Sequence, residues 1–213
     1  MLLVDRPIRE FVDAVESKEP TPGGGSVAAL AGSLGAALTA MVGNLTFGRK
    51  AYEALDEATK ATLNNNFNEV AKLKNRLNKL VDKDVEAFEG FMQALKMSKE
   101  TEEEKTARKK AMENATIEAL EVPLTTANEC LSILKLQKVF ANYGNVNAIT
   151  DVGVGALMAY AGVEGALFNV IINLQGLSDN TYVEDKKAEC DNILAEAKRL
   201  KEEVLSITYS KLA

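Results

Sequence analysis

The chain has no histidine and no tryptophan, and only two cysteines and four prolines in 213 residues. Without histidine it lacks the commonest metal ligand, the commonest general base and any serine or cysteine triad that relies on imidazole. Catalysis then has Asp, Glu, Lys, Tyr and the backbone to draw on, and no metal site is expected. Cys130 and Cys190 match no metal or redox spacing, and no apolar leader precedes the first charged residues. Both are therefore read as buried thiols in a reduced, cytoplasmic setting. Aromatic residues make up only 6% of the chain, and with so little proline and so much Ala, Leu, Lys and Glu, helices are favoured over a sheet. There is no basic excess either. Against 31 acidic residues stand 25 basic ones, which argues against a nucleic-acid partner and means that a polyanionic ligand needs a local basic patch. The expected architecture is one all-α domain over residues 1–213 with a single sizeable core.

What is present is organised around Pro20-Thr21-Pro22-Gly23-Gly24-Gly25-Ser26 and the charge-free run from Val27 to Leu45. Prolines stiffen the approach, glycines strip it of side chains, and a helix begins. Its first amides lack internal partners and carry the positive end of the dipole, so an anionic or carbonyl-bearing ligand can approach the backbone there; the alternative is a flexible hinge. No Gly-Lys-Ser/Thr follows and no strand precedes, which excludes the two best-known phosphate-binding glycine motifs. The helix from Ser26 to about Thr46 is apolar on nearly every side. It is short for a membrane span and polar at Ser33, Thr39 and Asn44, so a central core helix encased by others is expected, and no membrane partner.

Elsewhere Asp5 is placed as the cap of a short amphipathic helix carrying Ile8, Phe11, Val12 and Val15. One long helix, or two joined near Asn64-Asn65-Asn66, is expected from Glu53 to about Met97. Its apolar seam is broken by Asp84, in line with Leu77 and Phe91, whereas Asp82 falls on the solvent face. A carboxylate pointed into such a seam either pairs with a buried cation or has its pKa raised, and both are enriched at active sites. Thr101 to Glu104 reads as a capping box, and Pro123 is expected to kink or split the helix that follows. Gly144 suits a left-handed helix end, and Asn147 or Thr150 is placed as the cap of a second charge-poor helix over 152–175, with Asp151 near its positive end. The two charge-poor helices pair as the centre of a multi-helix bundle. Asn169 and Asn173, one turn apart on the second, need partners that a bound heterocycle or a neighbouring helix end could supply. Thr181 to Glu184 reads as a second capping box before the last amphipathic helix.

Six ordered segments carry a resemblance: Pro20 to Val27, Asn44 to Lys50, Asp84 to Phe88, Glu121 to Leu124, Gly144 to Asp151, and Gly165 to Leu174. Together they resemble the cyclodeaminase family of folate enzymes, which includes the cyclodeaminase half of formiminotransferase-cyclodeaminase and stand-alone methenyltetrahydrofolate cyclohydrolases. The resemblance implies an all-helical fold, a homodimer, and a site near the glycine loop for a tetrahydrofolate derivative, with or without a polyglutamate tail. It implies no cofactor beyond that substrate. The leading activity is hydrolysis of 5,10-methenyltetrahydrofolate to 10-formyltetrahydrofolate; the alternative is ring closure of 5-formiminotetrahydrofolate with loss of ammonia. A folate-binding protein without turnover and a helical interaction module are the rival classes. Opening the cationic methenyl bridge requires a base for water and a proton for the departing N5. Asp84 or Asp151 is assigned as base, the other carboxylate as a pterin or bridge ligand, and Lys50 as proton donor or carboxylate partner. Pro22, Gly23, Gly24, Gly25, Ser26, Asn145, Asn169 and Asn173 are the expected substrate-binding residues.

Overall fold

A computed structural model describes residues 1–213. It contains helices and no strand: α1 (Ile8–Glu16), α2 (Gly24–Thr46), the single turn α3 (Lys50–Glu53), α4 (Glu57–Leu95), α5 (Glu102–Tyr143), α6 (Ile149–Leu174) and α7 (Asn180–Leu212), with short 3-10 turns at Leu3–Asp5 and Val146–Ala148. α2 and α6 lie antiparallel and pack directly on each other. α4 packs on α2, α5 packs on both, and α7 closes the far side of α5 and α6. By length and composition α2 and α6 could each span a bilayer; here both are packed among the amphipathic helices.

Small residues set the central crossing. A Cβ added to Gly35 would lie 2.8 Å from the Gly155 carbonyl oxygen, so the α2 and α6 backbones meet with no room for a side chain between them. The thiol of Cys130 from α5 fills the adjacent space beside Gly32 and Gly162, and burial pushes both Cys130 and Cys190 up in pKa, as expected of inert core thiols. The larger core side chains come from the amphipathic helices and include Leu63, Leu77, Ile133, Leu134 and Phe140.

Several local expectations are corrected. Asp5 does not cap α1; it lies in the preceding 3-10 turn, and Pro7 holds the cap position without a side-chain bond. The long helix starts at Glu57 because Asp56 accepts from Thr59 N–H, and it runs unbroken through Asn64 to Asn66. Asp82 is not solvated: its Oδ1 accepts the Leu3 amide at 2.6 Å and its Oδ2 is buried without a partner. The Thr101–Glu104 box forms as expected, but α5 continues past Pro123 to Tyr143. Gly144 is extended (φ −69°, ψ 170°), and its glycine is explained by space, since a Cβ would sit 2.4 Å from the Phe140 carbonyl oxygen. Neither Asn147 nor Thr150 caps α6; Ala148 precedes it, and Asn145 instead accepts from Asn147 N–H in the 3-10 turn. The cap of α7 is Asp179, two residues ahead of Thr181, so the second capping box is not formed.

Candidate active site

The first turn of α2 begins inside the glycine run. Gly23 is the N-cap, and Gly24, Gly25 and Ser26 contribute the three amides that the helix leaves without internal acceptors. One of them is answered from α4. Asp84 Oδ2 accepts from Ser26 N–H at 2.8 Å and contacts Ser26 Oγ at 3.0 Å, while that hydroxyl also lies 2.9 Å from the Val81 carbonyl oxygen. The close approach requires a glycine: a Cβ on Gly25 would lie 2.0 Å from Asp84 Oδ1.

No cation partners Asp84. Burial is the largest influence on its carboxyl and raises its pKa, with the Ser26 hydroxyl and amide pulling partly the other way. The hydroxyl network accommodates either protonation state. With Asp84 ionised, the single Ser26 hydroxyl proton can point to the carboxylate. With Asp84 protonated, its own proton can go to Ser26 Oγ, which then donates onward to Val81, an oxygen that can only accept. Taking up or releasing a proton at Asp84 therefore leaves no buried donor unpaired, as a general base requires.

Asp84 lines a cavity of about 420 Å³ between the start of α2, α4, α5 and the end of α6. Gly23, Gly24, Gly25, Asn169 and Asn173 also line it, with Phe88, Phe91 and Ile172 as its apolar wall. Both asparagine amides are oriented by carbonyl groups: Asn169 Nδ2 donates to Gly165 O and Asn173 Nδ2 to Ala119 O, each at 2.8 Å. A carbonyl cannot donate, so the nitrogens are fixed toward the protein and the Oδ1 atoms are left as acceptors. The cavity thus combines a carboxylate, two amide oxygens and an aromatic wall. It suits a flat ligand with N–H donors or positive charge.

The other expected site residues are placed elsewhere. Ser26 is wholly buried and acts on the cavity through Asp84, and Pro22 is next to the lining without joining it. Lys50 and Asn145 line a separate cavity of about 460 Å³ with Arg49 and Tyr52, at the opposite end of α2. At ~1.5 Å per residue α2 spans about 33 Å, so within one chain Lys50 is not the partner of Asp84. Asp151 lies in the first turn of α6, at that same far end, and lines neither cavity.

A further feature was not singled out from the sequence. The Asp84 cavity opens past Phe91, Thr116 and Gly176 into a second one of about 500 Å³ carrying Lys99, Lys105, Arg108 and Lys109. The start of α5 reads as a solvated charged face, and only the fold turns its cations toward the cavity mouth. Arg108 is held there by bonds from its guanidinium to the Leu95 carbonyl at the end of α4.

A family model described as formiminotransferase-cyclodeaminase matches residues 7–192. The chain belongs to this family. It is 39% identical to a methenyltetrahydrofolate cyclohydrolase of Methylorubrum extorquens, over 96% of this chain and 97% of that protein. It is 38% identical to the formimidoyltransferase-cyclodeaminase of Gallus gallus over 99% of this chain, which spans only 38% of that longer protein. Its fold matches the crystal structure of a formiminotetrahydrofolate cyclodeaminase from Thermotoga maritima with a TM-score of 0.85 and 28% identity, covering 98% of both chains. The all-helical fold expected from the sequence is thus also that of a solved relative.

Proposed function

We propose that this family member is a methenyltetrahydrofolate cyclohydrolase, hydrolysing 5,10-methenyltetrahydrofolate to 10-formyltetrahydrofolate. The observation that carries the reading is end-to-end similarity to a stand-alone cyclohydrolase, whose length this chain matches. The cavity supports it. A tetrahydropterin presents N–H donors along its pyrimidine edge and a cationic methenyl bridge beside them. Here it would meet acceptors at Asn169, Asn173 and Asp84, while Phe88 and Phe91 receive its apolar and aromatic parts. Asp84 acts as the base that takes a proton from the water attacking the bridge carbon and returns it to N5 as the C–N5 bond breaks, and the hydroxyl proton of the adduct is released to solvent as the formyl C=O forms, with Ser26 orienting the carboxylate. No resident cofactor is required for that sequence.

The second reading, cyclodeaminase activity on 5-formiminotetrahydrofolate, is favoured by the name of the solved relative and uses the same carboxylate to protonate the departing amine. Purified protein assayed with both substrates decides between them. Loss of the near-ultraviolet methenyl absorbance marks the hydrolase, its appearance from the formimino substrate marks the deaminase, and the absence of both changes refutes an enzymatic role.

Two finer features belong to the same reading. The cations at Lys99, Lys105, Arg108 and Lys109 receive the glutamate carboxylates of the substrate, extended when it is polyglutamylated. The protein is a cytoplasmic homodimer. α2 leaves Val27, Leu34, Met41 and Leu45 unpacked, and α6 leaves Val154, Leu157 and Phe168, the last 64% exposed; these stripes suit a second copy. Lys50, Asn145 and Asp151 serve an Asp84 cavity only if a partner, its α2 running antiparallel across this face, supplies them.

A further inference from the structure

Pro123 sits inside α5, buried and without a backbone N–H, and the carbonyl that this N–H would have engaged is that of Ala119. An interior proline normally leaves such a carbonyl unsatisfied or kinks the helix away from it. Here the deficit is met from another helix, because Asn173 Nδ2 of α6 donates to Ala119 O at 2.8 Å. Ala119 and Asn173 both line the Asp84 cavity, so this bond is at the site and not behind it. None of the chain's own hydrogen bonds reaches Asn173 Oδ1. The neighbouring Asn169 is held differently, by the Gly165 carbonyl of its own helix, a bond that requires no proline.

We infer that Pro123 is a positioning residue: by deleting one helical donor it frees the Ala119 carbonyl to lock the Asn173 amide, so that Oδ1 is a fixed acceptor reading an N–H donor on the substrate ring. The lock stands on the geometry alone. The reading of a ring donor rests on the folate function proposed above. A residue with an N–H at position 123 would add a competing helical donor at Ala119 O, and the Asn173 bond, made to share that oxygen, would weaken and leave the amide freer to turn either its oxygen or its nitrogen to the cavity.

Pro123→Ala, Asn173→Ala and the double variant test this with two readouts. The first is the Asn173 side-chain amide pair in 15N-labelled, substrate-free protein, assigned by its absence in Asn173→Ala. The lock predicts one shifted, exchange-protected proton in the parent chain and its loss in Pro123→Ala. An unchanged pair in Pro123→Ala overturns the inference whatever the catalysis shows. The second is steady-state kinetics. A single hydrogen bond corresponds to roughly a 2- to 12-fold change, so KM for methenyltetrahydrofolate should rise by about that factor in Pro123→Ala with kcat little changed, and the double variant should be no worse than Asn173→Ala. Multiplying KM effects, or a lower melting temperature with unchanged KM, would assign Pro123 to packing alone. Should Pro123→Ala fail to fold, Asn173→Asp in the parent chain takes its place. It sets a carboxylate oxygen against the Ala119 carbonyl and must raise KM more than Asn173→Ala does; a smaller rise overturns the lock. An intact lock in a chain that neither binds nor converts a folate would leave the geometry standing and refute the function, and with it the reading role of Oδ1.

Discussion

Replacing Asp84 with Asn separates catalysis from packing at one atom pair. The amide oxygen of Asn can keep both contacts of Oδ2 with Ser26, and its nitrogen takes the place of Oδ1 beside Gly25 without added volume. What is lost is the negative charge and the ability to take a proton. Two stability effects then compete. The charge gains something from the start of α2, where an anion contributes up to ~2 kcal/mol in partly buried geometry. It also bears a burial penalty, which is the larger influence because the pKa is raised and not lowered. A carboxyl whose folded pKa is raised stabilises the fold below its unfolded pKa and loses that contribution as pH rises through the folded value. The Asn variant has no such loss, so its melting temperature relative to the parent should hold near pH 4 and improve toward pH 7. Turnover should fall by about 10²- to 10⁴-fold, the scale of a lost general base, equivalent to roughly 3–5 kcal/mol in the barrier. The assay is methenyl absorbance decay per folded molecule alongside thermal melts across pH. The exposed neighbour Glu86→Gln serves as control, since Asp82 holds the Leu3 amide and is no longer a neutral comparison. A variant that melts lower at pH 7 yet keeps its turnover would make Asp84 a helix cap and refute the catalytic assignment.

Gly25→Ala should cost both stability and activity, because its methyl must displace Asp84 Oδ1; equal activity in the two proteins would mean that the carboxylate position is unimportant. Leu34→Asp on the open face of α2 should convert a dimer to monomer in sedimentation, and Asp84→Asn mixed with Lys50→Ala should regain activity if subunits share residues; a monomeric parent chain refutes the interface. Reversing charge at Lys99 and Lys109 should raise KM for a polyglutamylated substrate by about tenfold or more, and for a monoglutamate by less, with the difference shrinking in salt. Equal KM changes for both would remove the basic cavity from substrate binding.

How legible these features were depended on how local their causes are. The Thr101–Glu104 capping box is closed by residues three apart and could be read directly, as could the amphipathic stripes that give α4 and α7 their buried faces. Caps within polar clusters were misassigned: Asp179 is preferred over Thr181, and no side chain caps α6, choices made where the chain enters each helix. Asp82 was misread because periodicity grants a helix one buried face, whereas the N-terminal segment folds back over a second face of α4. Pro123 was expected to kink or split its helix; α5 is not split, and sequence shows the missing donor but not the Asn173 that answers it from fifty residues away on α6.

At the glycine run the fold adds a group that the local reading did not include. Free amides at the start of α2, on their own, are a site for an anion, and the sequence supports that expectation. The fold brings Asp84 from α4 onto one of those amides, that of Ser26, made possible by the absent side chain at Gly25, so an anion at this helix start is supplied by the protein itself. The cavity thereby gains a negative group beside its remaining amide donors. Beside the amides of Gly24 and Gly25, the ligand also meets the remaining carboxylate oxygen and the Oδ1 atoms of Asn169 and Asn173, all three acceptors. Positive charge is confined to the adjoining cavity at Lys99, Lys105, Arg108 and Lys109. A ligand that satisfies both must carry donors or a cation at one end and carboxylates at the other, joined by an apolar segment that can pass Phe91. A methenyltetrahydrofolate has that order of groups, whereas a simple phosphate or carboxylate bound at the glycine amides would meet the charge of Asp84 instead.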